Sequence, residues 1–205
     1  MQTSPAVARD FDGRLRRLHE YRCSDPRGVA PTEGGPPFFR RSDALYEVEG
    51  HLVDTKTHPF RRMLAEKETP PGQPLHDITV RLVLDSDLLV HAADAVMRAT
   101  PFSICSGASR MLEPLVGLSI GAGWNKRVRE LLGGAASCTH IVELLGPMAT
   151  TAIQGLAPQR MATISAPGND AQRRAWVDSC YAFAADREVV ARLMQLPQRT
   201  KPGTL

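Results

Sequence analysis

The chain has 205 residues, of which 42% are hydrophobic, 23% are charged and 5% are aromatic. These proportions are close to those of an average globular domain and exclude collagen-like, mucin-like and wholly disordered proteins. The formal net charge is +3, and the basic residues are scattered among acids, so nucleic acid is a weak candidate partner. No apolar run reaches the roughly 18 residues that a membrane-spanning helix needs, and Met1–Arg9 shows no secretory signal. We therefore expect a cytoplasmic protein with no membrane partner.

The composition changes along the chain and predicts three regions. Residues 1–41 are rich in proline, glycine and arginine, which is typical of a loop-rich arm. Residues 42–196 are expected to form a single domain, and residues 197–205 a frayed tail. Within the arm, Ala6–Cys23 fits either a short helix or, near Leu18–Arg22, an edge strand.

The first half of the predicted domain reads as antiparallel strands. Leu45–Lys56 alternates apolar and polar residues with the period of a half-buried strand, and Gly50 within it fits a bulge. Ile78–Leu84 and Leu88–Ala93 read as two further strands, and the polar turn Asp85–Asp87 joins them into a hairpin.

The second half reads mainly as helices. Ala95–Arg98 fits a helical turn, Trp124–Leu132 has the apolar spacing of an amphipathic helix, and Cys138–Leu156 fits a further helix with Ser137 as its cap. Pro158–Asp170 reads as a loop. Strands followed by helices predict an α+β fold, in which helices cover one face of an antiparallel sheet.

The sequence contains four cysteines and six histidines, and the wide cysteine spacing excludes a CxxC redox motif or a zinc ribbon. Cys138 and His140 form a close pair at the predicted start of a helix, where the positive end of the helix dipole stabilises a thiolate. Residues two apart on a helix point to different sides, so the two converge only if Cys138 lies at or before the first turn. We expect Cys138 to be a nucleophile or metal ligand and His140 a base or ligand. A small buried cysteine and a capping histidine fit the same residues.

A metal site is a second interpretation of the cysteines. Three thiols and one imidazole would suit zinc or an iron–sulfur species, since soft ligands select those metals. The candidate ligands are Cys105, Cys138, His140 and Cys180. For Cys105 and Cys180 taken singly, an ordinary buried cysteine is the favoured interpretation.

His76 and Asp77 form a further candidate pair, because an imidazole next to a carboxylate is suited to general base catalysis. Adjacent residues on a strand face opposite ways, so the pair serves one role only if His76 remains in the loop. A turn-capping Asp77 is the alternative. Asp54 and Lys56 place further charged groups on the first predicted strand, where an ordinary solvated edge is the favoured interpretation.

Several strings of this sequence together resemble a known family. They are YEVEGHLVDTK, PLHDITVR, LVGLSIGAGW and SCTHIVELLGPMATTAIQ, with Arg40–Asp43 before them. The chain resembles the bacterial domain-of-unknown-function family 2889 over most of Arg40–Cys180. Ser137 and Ala44 stand where the family pattern has glycine, which affects turn geometry more than chemistry. The resemblance implies a bacterial origin and a shared fold, but no activity.

A fainter likeness is to iron–sulfur scaffold proteins of the NifU and SufE type. In these proteins, as in the order predicted here, an antiparallel hairpin leads through a cysteine-bearing loop, with Cys105 in this chain, to helices and a cysteine beside a histidine. The scaffold proteins place histidine before cysteine, whereas His140 follows Cys138. The likeness implies a similar architecture only.

These observations favour a small polar site assembled from Cys105, Cys138 and His140, with Cys180 as a further candidate and with His76 and Asp77 at its margin. If the protein is an enzyme, the expected chemistry is hydrolysis or carbon–carbon lysis of a small carboxylate, aromatic or acyl metabolite. The alternative is a non-catalytic module that binds a metal, an iron–sulfur species or a small ligand. The sequence does not indicate an oligomeric state.

Overall fold

A computed structural model describes residues 36–166 and 168–195, together with two short strands, β1 (Val7–Arg9) and β2 (Leu15–Arg17). The two short strands pair antiparallel within the segment for which the sequence left a helix or a strand open. Most of the predicted arm and the predicted tail lie outside the described residues.

The chain divides into two compact units, residues 1–153 and residues 154–205. The predicted single domain over residues 42–196 spans the boundary between these units. Among the described residues, no helix is both long enough and apolar enough to cross a membrane.

The first unit contains a four-stranded antiparallel sheet in the order β3-β4-β5-β6. Its strands are β3 (Phe38–Arg40), β4 (Tyr46–Asp54), β5 (His76–Leu84) and β6 (Val90–Ala99). The three predicted strands are confirmed, and a fourth comes from the end of the predicted arm. Ala44, in the turn between β3 and β4, has a φ of 65°, the left-handed region that favours glycine. Alanine at this position therefore strains the turn.

The helical turn predicted at Ala95–Arg98 is wrong, because β6 continues through it. Its residues pair with β5 until Ala99 lies opposite Asp77. Hydrogen bonding to a neighbouring strand outweighs the weak helical preference of so short a segment.

Two helices follow the sheet in the first unit, after 3₁₀ turns at Ser103–Arg110 and Glu113–Leu115. The helix α1 (Trp124–Leu132) buries Trp124, Val128 and Leu132, as its periodicity predicts. The helix α2 (Thr139–Gly155) continues through Pro147. The Nε1–H of Trp124 donates to the carbonyl of Leu145 at 3.1 Å and ties α1 to α2.

Helix α2 passes close to β4 at Gly50. A Cβ added to Gly50 would lie 2.7 Å from Met148 Sδ and 3.4 Å from Leu144 Cδ2. The bulge predicted at Gly50 is wrong, since the β4–β5 pairing is regular from Tyr46 to Asp54. This glycine is needed because the helix occupies the space of a side chain. The surrounding core includes Val48, Ile78, Val80, Leu82, Leu84, Ile141, Leu145 and Met148.

The opposite face of the same strands carries ion pairs, because successive side chains of a strand alternate between the two faces. Glu47 is only 2% exposed and accepts from Arg41 Nη1 at 3.3 Å, while Arg81 pairs with Asp94. Burial raises the pKa of Glu47, and the charges of Arg81 and Arg41 oppose that shift. The sheet therefore has one helix-covered face and one charged face.

The second unit is helical. Its helices are α3 (Ala157–Ser165), α4 (Asp170–Arg174) and α5 (Glu188–Met194). The loop predicted at Pro158–Asp170 is wrong over most of its length, because a proline in the first turn of a helix costs no hydrogen bond.

Arg173 holds the end of α3 in this unit. Its fully buried guanidinium donates to the carbonyls of Ile164 at 2.8 Å and Ala166 at 3.1 Å, and it pairs with Asp170 at 3.0 Å. These bonds serve carbonyl groups that the end of a helix leaves without helical partners.

Candidate functional site

The carboxylate of Asp54 lies next to His76 at the edge of the sheet where β4 ends and β5 begins. Asp54 ends β4, His76 begins β5, and the two residues are directly opposite in the sheet. The Asp54 Oδ1 atom accepts from the His76 backbone N–H at 2.7 Å and from its Nδ1 at 2.9 Å. Burial opposes ionisation of Asp54, but the hydrogen bonds from His76 outweigh it and the pKa of Asp54 is lowered. A carboxylate can only accept a hydrogen bond, so the proton of this bond lies on Nδ1, and in the neutral ring the lone pair is then on Nε2.

Asp77 lies on the other face of the sheet. Its Oδ1 atom is 2.8 Å from His51 Nε2 and 3.4 Å from Arg98 Nη1. The hydrogen bond from His51 is the main cause that lowers the pKa of Asp77. The carboxylate partner of His76 is therefore Asp54 and not Asp77, the partner that the sequence predicted. The alternation of strand side chains argues against Asp77, but only the hairpin register identifies Asp54.

Cys138 is the N-cap residue of α2. Its carbonyl accepts the first helical hydrogen bond, from the Val142 N–H at 3.1 Å, and the helix begins at Thr139. The cap predicted at Ser137 is wrong, because the buried Ser137 Oγ has no hydrogen-bond partner among the described residues. The Sγ atom of Cys138 lies 3.7 Å from Nδ1 of His140. The N-cap position allows this approach, because Cys138 precedes the first turn.

The two halves of the site meet at the histidine rings. The ring centroids of His76 and His140 are 4.0 Å apart and the planes are tilted by 40°. Burial lowers the pKa of His140, the nearby His76 lowers it further, and Asp54 opposes both. We call Cys138, His140, His76 and Asp54 the thiol–histidine cluster. All four side chains are partly exposed, with His76 at 16% and Asp54 at 37%.

The other predicted metal ligands are free thiols. Cys105 is half-buried in the 3₁₀ turn Ser103–Arg110, and Cys180 is exposed in the second unit. Among the residues that the structure describes, no group of three or more His, Cys, Asp or Glu side chains is arranged to hold a metal ion. Metal binding therefore stays a prediction for its four candidate ligands, Cys105, Cys138, His140 and Cys180. The described residues do not show these side chains arranged around one metal position.

Two clefts lie along α1 and α2, away from the cluster. The larger, about 200 Å³, is lined by Trp124, Asn125 and Thr150 among others. The smaller, about 150 Å³, lies beside Arg129 and Glu143. Neither cleft is lined by a residue of the thiol–histidine cluster, so the cluster meets solvent at a separate surface.

One known protein family matches the part of the chain that contains the thiol–histidine cluster. The family described as protein of unknown function (DUF2889) matches residues 37–154. The chain belongs to this family. The DUF2889 match contains all four strands of the main sheet, both helices α1 and α2 up to residue 154, and every residue of the thiol–histidine cluster. No curated protein and no solved structure matches the chain.

Proposed function

We propose that this protein is a thiol-dependent hydrolase of small acyl compounds. Cys138 is the nucleophile, and His140 is the base that accepts its proton. The observation that carries the proposal is the 3.7 Å distance from Cys138 Sγ to His140 Nδ1 at the start of α2. A thiol and an imidazole at such a separation can exchange a proton, which is the first requirement of cysteine nucleophiles.

The position of Cys138 supplies the second requirement, which is stabilisation of negative charge. The first amides of an α-helix lack helical partners, and they point toward the N-cap together with the positive end of the helix dipole. These amides favour an oxyanion that forms on the carbonyl of the substrate during attack. Acyl compounds are the substrates that a thiol nucleophile beside such amides would serve.

His140 is suited to accept the thiol proton. Burial and the neighbouring His76 lower the pKa of His140, so its imidazole is neutral near pH 7 and holds a free lone pair. The same shift makes the imidazolium a stronger acid once it has taken the proton, which favours delivery of that proton to the leaving group.

The alternative is a module that binds a metal or an iron–sulfur species through the same residues. One observation favours it: a histidine that donates Nδ1–H to a carboxylate, as His76 does to Asp54, is also the usual support of metal-ligating histidines. Metal analysis of freshly purified protein tests this alternative. Stoichiometric metal that is lost in both Cys138→Ala and His140→Ala would replace the hydrolase proposal.

Hydrolysis of 4-nitrophenyl esters and of small acyl thioesters tests the hydrolase directly. We expect turnover by the wild type, its loss in Cys138→Ala, and a decrease of about 10²–10⁴-fold in His140→Gln. Cys180→Ala is the matched control, because Cys180 is an exposed thiol in the second unit. Equal activity in Cys138→Ala and Cys180→Ala would refute the proposal.

We also propose that the enzyme acts in the bacterial cytoplasm on a small molecule. The thiols of Cys105, Cys138 and Cys180 are free, which is typical of proteins in a reducing compartment. Bacterial origin rests on the family resemblance. Fractionation of the source cells, with immunodetection of the native protein, tests the location.

A further inference from the structure

The thiol–histidine cluster contains two imidazoles with different partners. Nδ1 of His140 faces the Cys138 thiol at 3.7 Å, whereas Nδ1 of His76 donates to the Asp54 carboxylate at 2.9 Å. In a catalytic triad the carboxylate orients the same imidazole that contacts the nucleophile. Here the carboxylate orients the other imidazole, so a single thiol–imidazole–carboxylate relay does not describe the cluster.

We infer that the two imidazoles divide the reaction, with His140 serving attack by the thiol and His76, held by Asp54, activating the water that releases the acyl group. This inference rests on the proposed hydrolase function. His76 is placed for the role because its ring lies against that of His140, at 4.0 Å between centroids, and its side chain remains 16% exposed to solvent.

The hydrogen bonds of His76 suit a base that accepts a proton from water. Asp54 accepts two hydrogen bonds from His76, one from the backbone and one from Nδ1, and this fixes the position of the residue and its tautomer. The free Nε2 lone pair is then the proton acceptor.

The reaction has two steps, acylation of Cys138 and hydrolysis of the resulting thioester. In the first, the Cys138 thiol proton passes to His140 Nδ1, sulfur bonds to the substrate carbonyl carbon, and the leaving group departs with the proton from His140. In the second, water gives a proton to His76 Nε2 while its oxygen attacks the thioester carbon. The carbon–sulfur bond breaks, and the thiolate recovers a proton from the His76 imidazolium. The sum is acyl compound plus water giving carboxylic acid plus leaving group.

Rapid-mixing kinetics with 4-nitrophenyl acetate separates the two steps. In His76→Gln we expect a burst of one nitrophenolate per protein at a near wild-type rate, followed by turnover slowed about 10²-fold or more. Mass spectrometry should detect the acetyl group on Cys138. Asp54→Asn should show the same pattern more weakly, whereas His140→Gln should slow the burst itself.

His51→Gln is the matched control, because His51 also pairs with an aspartate but on the opposite face of the sheet. It should leave both phases unchanged, and thermal unfolding of every variant checks its fold. Equal slowing of burst and turnover in His76→Gln and Asp54→Asn, with no acetylated protein, would overturn the division between histidines while leaving the hydrolase in place. Absence of wild-type turnover, or turnover that survives in Cys138→Ala, would overturn the hydrolase and this inference together.

Discussion

Gly50→Ala tests how closely helix α2 must approach the sheet. The added Cβ would lie 2.7 Å from Met148 Sδ and 3.0 Å from its Cγ, about 1 Å short of ordinary van der Waals contact. Met148 is fully buried, so its side chain cannot move out into solvent, and either this side chain or the helix that carries it must shift. Such overpacking costs about 1–3 kcal/mol, and the smaller backbone entropy of the unfolded alanine chain returns about 0.4–1 kcal/mol. We expect a net loss of about 1 kcal/mol in the free energy of unfolding.

Equilibrium urea unfolding in a double-mutant cycle with Met148→Ala measures this effect. Met148→Ala alone should cost about 2–5 kcal/mol because it opens a cavity. In that background Gly50→Ala places its methyl group in the cavity, so its effect should vanish or become stabilising. Gly107→Ala is the control, since a Cβ at Gly107 would meet no atom within 4 Å. A loss that is the same in both Met148 backgrounds would refute the packing argument.

The same substitution connects packing to the thiol–histidine cluster. Met148 and His140 lie on one helix, and Gly50 and Asp54 on one strand. A helix displaced at Gly50 changes the contact between the rings of His140 and His76. Alkylation of Cys138 by iodoacetamide should therefore respond to Gly50→Ala and not to Gly107→Ala, and equal rates in the two variants would show that the helix end does not move.

Three further predictions concern stability. Burial raises the pKa of Glu47, so its carboxyl is protonated more readily in the folded protein than in the unfolded chain. The stability that this difference contributes is present below the unfolded pKa and is lost as pH rises through the folded pKa. Glu47→Gln should keep nearly full stability at pH 7 in urea titrations, and a loss above about 3 kcal/mol would show that the ion pairs of Glu47 outweigh its burial. Asp54 has a lowered pKa, so its carboxylate stabilises the fold above its unfolded pKa, and this contribution is lost as pH falls through the folded pKa. Asp54→Asn should therefore reduce the acid sensitivity of thermal unfolding. An unchanged dependence of the melting temperature on pH would contradict this. Trp124→Phe removes the donor to the Leu145 carbonyl and should cost about 1–2 kcal/mol in urea unfolding; no change would show that this bond does not hold α1 to α2.

Local patterns were sufficient for much of the fold. The alternation in β4 and the apolar spacing of α1 predicted both elements, because the face that each residue presents depends only on its own strand or helix. Local patterns were misleading where long-range pairing decided the outcome. The segment Ala95–Arg98 joined a strand because β5 supplied hydrogen-bond partners. The loop predicted from Pro158 failed for a local reason, since Pro158 lies in the first turn of α3, where a proline costs no hydrogen bond.

By itself, the sequence predicted that Cys138 and His140 lie at the start of a helix, and it left open whether their side chains converge. Only the tertiary structure decided that His76 contacts His140 and that Asp54, 22 positions away, is the carboxylate partner of His76. The physical reason is that strand register and the approach of helix α2 over Gly50 bring these residues together. Register and packing depend on the fit of whole faces, and no spacing within one segment encodes them.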